Sequence, residues 1–343
     1  MPKITAIMNT GRPGLCMPHL PGVHHFDYIL ESLSRQNFKD FEFVIADCMY
    51  NTRNKDYDWK NKKTDFPVYH IPVVHSLAHD MNYIAISGTK NAGIMYASGE
   101  FLCFIDDCGL LEFNHFERIY EIFKRDGTFA CPMRLKANTS GGFDQDARQI
   151  IFDRNPLDVY INCHDIYGFA NFSLEAALRI GGIDEGYDWS MSMEDIDTGR
   201  RLMAAGYKLS LHRNFYVKEQ IHMDNNDRIF EPILKFKPIL KCNPSYLFMK
   251  LDKRSGEDFI LANHRKLTSL ELSLLRPCYK MEVIDGNAVC RGSGRNQECE
   301  WYTRNPTNME HPDIEIFLRE QPVFDIRQKR DECLVNKEKY RVL

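Results

Sequence analysis

The sequence contains no CxxC pair, no internal repeat or low-complexity tract, and no apolar run near the roughly 18 residues a membrane-spanning helix requires. Each absence removes a class. Without paired-cysteine spacing, the eleven cysteines do not read as a zinc ribbon or a disulfide framework. In a chain of 343 residues they read as reduced thiols, mostly core filler in a cytosolic setting. The missing apolar run leaves no integral membrane segment to expect, and "MPKITAIMN" lacks the apolar stretch and small-residue site of a signal peptide. Strong charge of either sign is also lacking. A net charge of −4 gives no footprint for nucleic acid or an anionic membrane, although the residues after 235 are slightly basic and those before them acidic. What remains is an ordinary globular composition, 43% hydrophobic and 27% charged, long enough for one large or two modest domains. A cytoplasmic protein, peripheral to a membrane surface at most, is the expectation.

The first third alternates short apolar strands with helical periods. "KITAIMN" reads as a strand broken by "TGRPG". Phe26, Ile29, Leu30 and Leu33 fall at helical spacing, "FEFVIADC" is a second strand, and "FPVYHIPVV" a third whose prolines assign it to an edge. A small-residue helix over 91–97 and the strand "EFLCFI" follow. This alternation predicts an α/β fold with a doubly wound, mostly parallel sheet and helices on both faces. In such sheets ligands bind at the carboxyl ends of the strands. Residues 10–14, Asp47, Asp106 and Asp107 all fall at such ends, so topology alone gathers three separated loops on one crevice.

Farther along, Phe113, Phe116, Ile119, Tyr120 and Phe123 mark an amphipathic helix closed by Gly127. Residues 128–165 read as irregular. Ser173 caps "LEAALRI", and "MEDIDTGRRLMAAG" is a second capped helix. After about residue 230 the pattern loosens: "EDFILANHRKLTSLELSLL" reads as helix and "GNAVCRGSGRNQ" as loop.

The run "FLCFIDDCGLL" ends a buried strand on two carboxylates, Asp106 and Asp107. Side chains alternate along a strand, so the two acids either flank a turn or do different jobs. A divalent cation beside a diphosphate would employ both, one acid on the metal and its neighbour on a sugar hydroxyl. A solvated turn is the alternative for the pair taken alone.

Three segments occur in order: "SLSRQNFKDFEFVIADC", "KNAGIMYASGEFLCFIDD" and "GGIDEGYDWSMSMEDIDTGRRLMAAGYKL". Together they resemble glycosyltransferase family 2, inverting enzymes of the GT-A fold, over roughly residues 1–225. The resemblance implies a Rossmann-like GT-A domain over 1–230, with a nucleotide-sugar half to about 110 and a catalytic half after it. Residues 231–343 would be a helical or irregular extension for acceptor binding or oligomerisation. It implies that Thr10, Arg12 and Asp47 hold the nucleotide, with Lys90 and Asn91 replacing the family's Arg-Asn pair. The family's DxD falls on Asp106-Asp107-Cys108, where the third acid is missing. By resemblance Asp106 serves the ribose and metal, and Asp107 the metal, which would be Mn2+ or Mg2+. Cys108 is a softer ligand, ill matched to either ion.

The family's ED motif falls on Glu194-Asp195, which makes Asp195 the general base that deprotonates the acceptor hydroxyl. The spacing Ser192-x-x-Asp195 also resembles a capping box, and a cap can fix a base in place. Asp197 and Arg201 continue the motif as supporting residues. The family position of a metal-ligating histidine falls on Glu219, with His222 three residues later as the candidate ligand. Trp189 is placed to stack on a sugar or to anchor its loop.

The resemblance thus implies an inverting glycosyltransferase using a nucleotide-diphosphate sugar, UDP-linked in the first instance. A catalytically silent nucleotide-binding scaffold and a sugar-phosphate nucleotidyltransferase are the alternatives. The acceptor is open among glycan, lipid-linked glycan, protein and modified nucleic acid, as is assembly into a homo-oligomer.

Overall fold

The apolar runs of the first third become four parallel strands, β1 (Ile4–Thr10), β2 (Phe41–Asp47), β3 (Val68–Pro72) and β4 (Phe101–Asp106), ordered β3-β2-β1-β4. The computed structural model describes residues 1–11, 20–80, 85–126, 129–138, 141–145, 171–188, 194–220, 243–274, 281–284, 287–290, 319 and 323–343. Beyond β4 the sheet continues through β5 (Gly109–Leu111), β6 (Phe129–Ala137), β7 (Phe143–Gln145), β8 (Asn171–Ser173) and β9 (Leu209–Glu219). These extend the order as β4-β8-β6-β9-β5, with β7 on β6. Pairing here is antiparallel except between β6 and β9. The expected parallel sheet therefore fills the half that ends at β4, and a mixed half is joined to it there.

The helices are α1 (His25–Ser34), α2 (Tyr50–Asp56), α3 (Leu77–Asp80), α4 (Ile86–Tyr96), α5 (His115–Asp126) and α6 (Leu174–Arg179). After them come α7 (Glu194–Ala204), α8 (Asn243–Lys253), α9 (Gly256–Ile260), α10 (Ser269–Leu274) and α11 (Ile326–Val335). Period-two alternation along the strands builds a core on each face. Ile7, Val44, Ala46, Leu102 and Phe104 pack with Ala92 and Met95 of α4, Ala176 of α6, Leu202 of α7 and Cys333 of α11. Ala6, Met8, Phe43, Ile45, Cys103 and Ile105 pack with Phe26, Ile29 and Leu33 of α1 and Phe116, Ile119 and Phe123 of α5. Burying each large side chain stabilises by about 1.5–3 kcal/mol, so both layers are firmly held to the sheet.

Several expectations are corrected. Helix α4 starts at Ile86, ahead of 91, because Asp188 caps it from a hundred residues away, accepting from the Ser87 and Gly88 N–H groups at 2.5 and 2.9 Å. "EDFILANHRKLTSLELSLL" is two short helices, α9 and α10. The break holds Asn263, whose left-handed backbone (φ 54°) lets its side chain bond Glu185 N and Ile183 O. Asn287–Cys290 is a strand paired with Met281–Ile284, where a loop was expected; the intervening Asp285-Gly286 is a hairpin signal in the sequence. Phe113 precedes α5 and is exposed. Gly127 lies outside the described residues.

The chain end covers the edge strand β3. Val68 exchanges backbone hydrogen bonds with Val342 and Leu343, and Lys337 reaches Glu42 Oε2 at 2.6 Å. The sheet edge is thereby closed to pairing with another chain. Gly99, in the turn before β4, is required by crowding: a Cβ there would lie 2.5 Å from the Thr5 nitrogen. No described helix is long and apolar enough to cross a membrane.

Candidate functional site

Strand alternation separates the two acids of "FLCFIDDCGLL" as their spacing requires. Asp106 shares the α4 face of β4, and its Oδ2 accepts from Arg134 Nη2 at 3.0 Å. Asp107, buried, accepts from Thr10 Oγ1 at 2.8 Å. From Thr10 a polar chain runs beneath the strand ends. Thr10 Oγ1 lies 3.4 Å from His25 Nε2, Arg53 Nη1 lies 3.1 Å from the same nitrogen, and Arg53 Nε lies 3.4 Å from Asp47 Oδ2. Asp47 is fully buried and also bonds His70 Nε2 and the Met49 N–H. Burial pushes its pKa up, but the Arg53 charge and the His70 bond outweigh this and hold it below the usual carboxylate range. Asp47 at the end of β2 and Asp107 after β4 are thus linked through Thr10 of β1, and sequence reasoning missed His25 and Arg53, which make the link, and His70, which holds Asp47.

On the opposite face, Lys90 of α4 donates to Glu194 Oε1 at 3.1 Å. Burial lowers the Lys90 pKa, but the charges of Glu194, Asp195 and Asp106 more than reverse this and raise it. One ammonium is therefore within electrostatic reach of both the ED motif and Asp106. Glu194 is buried, whereas Asp195 is half-buried, with Oδ1 accepting from the Ile196 N–H at 2.8 Å in the first turn of α7. That turn is a favourable place for negative charge.

The lower part of α7 is structural. Asp197 and Arg201, both fully buried, pair at 2.7 Å, and Arg201 Nη1 donates to the Ile180 and Gly182 carbonyls. Lys250 of α8, also fully buried, bridges Asp184 and Asp197 at 2.6 Å each. Asn91 is fully buried, donating to Ile183 O and Glu185 Oε1 and accepting from the Ile183 N–H. Its amide grips the "GGIDE" loop rather than the crevice. Gly182 makes that grip fit, since at φ 78° a Cβ would fall 2.5 Å from Asn91 Oδ1.

The expected metal centre does not assemble as a cage among the described residues. No group of three or more His, Cys, Asp or Glu is placed to hold an ion. Where Asp106 and Glu219 converge, a cation is already present: Arg134 of β6 forms an ion pair with each. The Cys108 thiol faces the same glutamate at 3.8 Å. A divalent ion here would displace a buried guanidinium from two carboxylates, and stripping one partner from a buried pair costs about 3–5 kcal/mol. The described residues do not fit Mn2+ or Mg2+ in this arrangement. His222, Arg12, Trp189 and Ser192 lie outside the described residues.

Residues 26–179 match the family model described as "Glycosyl transferase family 2". No curated protein sequence matches the chain. Among solved structures, a mannosyltransferase from Pyrobaculum calidifontis, solved with GDP-Man and Mn2+, superposes with a TM-score of 0.47 at 12% identity, over 65% of this chain and 58% of that one. GalNAc-T7, solved with UDP, GalNAc and Mn2+, superposes with a TM-score of 0.44 at 11% identity, over 65% and 44%. The chain thus matches less than two thirds of either protein's length. The segment that matches the family 2 model runs from α1 to α6, through the strands β2 and β4 that end on Asp47 and Asp106, and is under half of the chain.

Proposed function

We propose that the chain is an inverting glycosyltransferase that moves a sugar from a nucleotide-diphosphate sugar, a UDP-sugar in the first instance, to an acceptor hydroxyl. Asp195 is the general base of a single displacement. The observation that carries this reading is Asp195 itself, half-buried in the first turn of α7 beside a lysine that also feels Asp106. The acceptor's O–H proton passes to the Asp195 carboxylate as the acceptor oxygen bonds the anomeric carbon. The bond from that carbon to the diphosphate breaks, and its electron pair leaves on the nucleoside diphosphate. Positioned proton transfer of this kind contributes about 10²–10⁴-fold in rate.

The remaining residues take supporting roles. Glu194, buried and paired to Lys90, holds the start of α7 in place and so fixes Asp195. Thr10, Asp47 and Asp107 stiffen the strand ends on the nucleotide side, and Asp106 faces the sugar. Asn91 acts through the loop it grips. Arg12 is assigned to the nucleotide and Trp189 to sugar stacking. Acceptor recognition is assigned to residues 231–343, with glycan, lipid-linked glycan, protein and modified nucleic acid as the classes to test.

The test incubates the full chain with a panel of UDP- and GDP-sugars, with and without Mn2+, and follows release of nucleoside diphosphate. Slow release from one donor is expected. Tight nucleotide binding with no release from any donor would contradict the reading in favour of a silent scaffold. Pyrophosphate formed from a sugar phosphate and a nucleoside triphosphate would contradict it in favour of a nucleotidyltransferase.

A further inference from the structure

Arg134 stands where the chemistry of the crevice calls for positive charge. It reaches from β6, the strand between β8 and β9, toward the carboxyl end of β4, and is buried with its guanidinium on Asp106 Oδ2 at 3.0 Å. It also forms an ion pair with Glu219, the residue at which β9 pairs with Gly109 of β5. The two acids come from different strands and converge on this one side chain. Burial opposes its charge, but Glu219 and Asp106 outweigh that and raise its pKa, so it stays protonated at every working pH. The sequence departs from an acid-x-acid triplet at the same place, with Cys108 replacing the third acid and its thiol turned to Glu219. A soft thiol is a poor partner for Mn2+ or Mg2+, whereas a guanidinium is satisfied by the two hard carboxylates present.

We propose that Arg134, clamped between Asp106 and Glu219, supplies the positive charge on the donor's diphosphate that a divalent cation would otherwise supply, so that nucleotide binding by this chain does not require metal. The inference rests on the proposed use of a nucleotide-diphosphate sugar. A planar fork of five N–H donors can serve carboxylate and phosphate oxygens together, and it matches phosphate geometry better than an ammonium does. A dication beside it would meet repulsion in a poorly solvated site, so guanidinium and metal are alternatives there.

The test is calorimetric titration of the full chain with UDP and with GDP, first in EDTA and then in excess Mn2+. Paramagnetic resonance follows the free Mn2+ in parallel. One nucleotide is expected to bind with affinities that agree within about threefold in the two buffers, with no stoichiometric uptake of Mn2+. Arg134→Ala is expected to weaken binding in EDTA by about tenfold or more, the loss of charge-assisted bonds. Because Arg134→Ala leaves two acids uncompensated, Arg134→Lys serves as the folded control; it is expected to bind more weakly than wild type yet still without metal. Nucleotide binding that appears only with Mn2+, with matching uptake of the ion, would overturn the inference while leaving the proposed transferase intact. Binding of neither nucleotide in either buffer would overturn both.

Discussion

The Lys90 ammonium lies 3.1 Å from Glu194 Oε1, tying the middle of α4 to the first residue of α7 across 104 positions of sequence. Both side chains are nearly buried, so neither charge has water to fall back on. Lys90→Met therefore leaves an uncompensated carboxylate and is expected to cost about 3 kcal/mol of stability in a denaturant titration. Lys90→Met combined with Glu194→Gln should recover most of that loss. If the single substitution leaves the midpoint unchanged, the pair does not hold α7 in place.

Lys250 is the one described cation that touches both Asp184 and Asp197, and all three are buried. Burial pushes the Asp184 pKa up, and Lys250 with Arg201 more than reverses this. Lys250→Met should cost about 3–5 kcal/mol, since the buried Asp184 then loses its ion-pair partner and Asp197 keeps only Arg201. A chain ending at residue 230 loses this lysine and the β3 edge cover together, and is expected not to fold. Cooperative unfolding of the truncated chain, seen by circular dichroism, would contradict that expectation.

Two histidines set the acid limit. Burial lowers the His115 pKa to about 3, with the Arg118 charge adding to it, and burial with Arg53 lowers His24 to about 4. Both values lie below the unfolded 6.5, so these groups stabilise the fold above that pH, and the stabilisation is lost as pH falls through 6.5 toward the folded values. His115 alone, fully buried, should cost about 2–3 kcal/mol at pH 4.5 relative to pH 7.5. Thermal unfolding across that range checks it: His115→Gln should flatten the decline, and a parallel decline in the variant would contradict the assignment.

Gly99→Ala places a methyl 2.5 Å from the Thr5 nitrogen and 2.6 Å from the Ile4 carbonyl carbon, both backbone atoms of β1. Neither can swing aside as a side chain could. The expected cost is about 1–3 kcal/mol, read as a lowered unfolding midpoint. An unchanged midpoint would mean that the approach of β4 to β1 is looser than described.

The parallel half of the sheet was legible because β1, β2 and β4 are short apolar runs with polar ends, and their carboxyl ends set Thr10 opposite Asp47 and Asn9 opposite Asp106. The start of α4 was not legible, because its cap is Asp188, distant in sequence. The break between α9 and α10 was hidden too, since "LANHRK" has helical composition and only the tertiary bond of Asn263 to Glu185 turns it. At the site, alternation foretold that Asp106 and Asp107 part company. Arg134 could not have been foreseen: nothing in "CPMRLK" marks an arginine as belonging to acids on β4 and β9. Asn91 and Lys90 were singled out by their place in a motif, and the structure shows them gripping the loop and helix that carry Asp195.

The proposed general base is a half-buried aspartate at the head of α7. The most direct measurement compares wild type and Asp195→Asn side by side for nucleotide affinity and for nucleoside diphosphate release from the productive donor. The account predicts unchanged affinity with release reduced by about 10²–10⁴-fold. Release that persists at the wild-type rate in Asp195→Asn would contradict it.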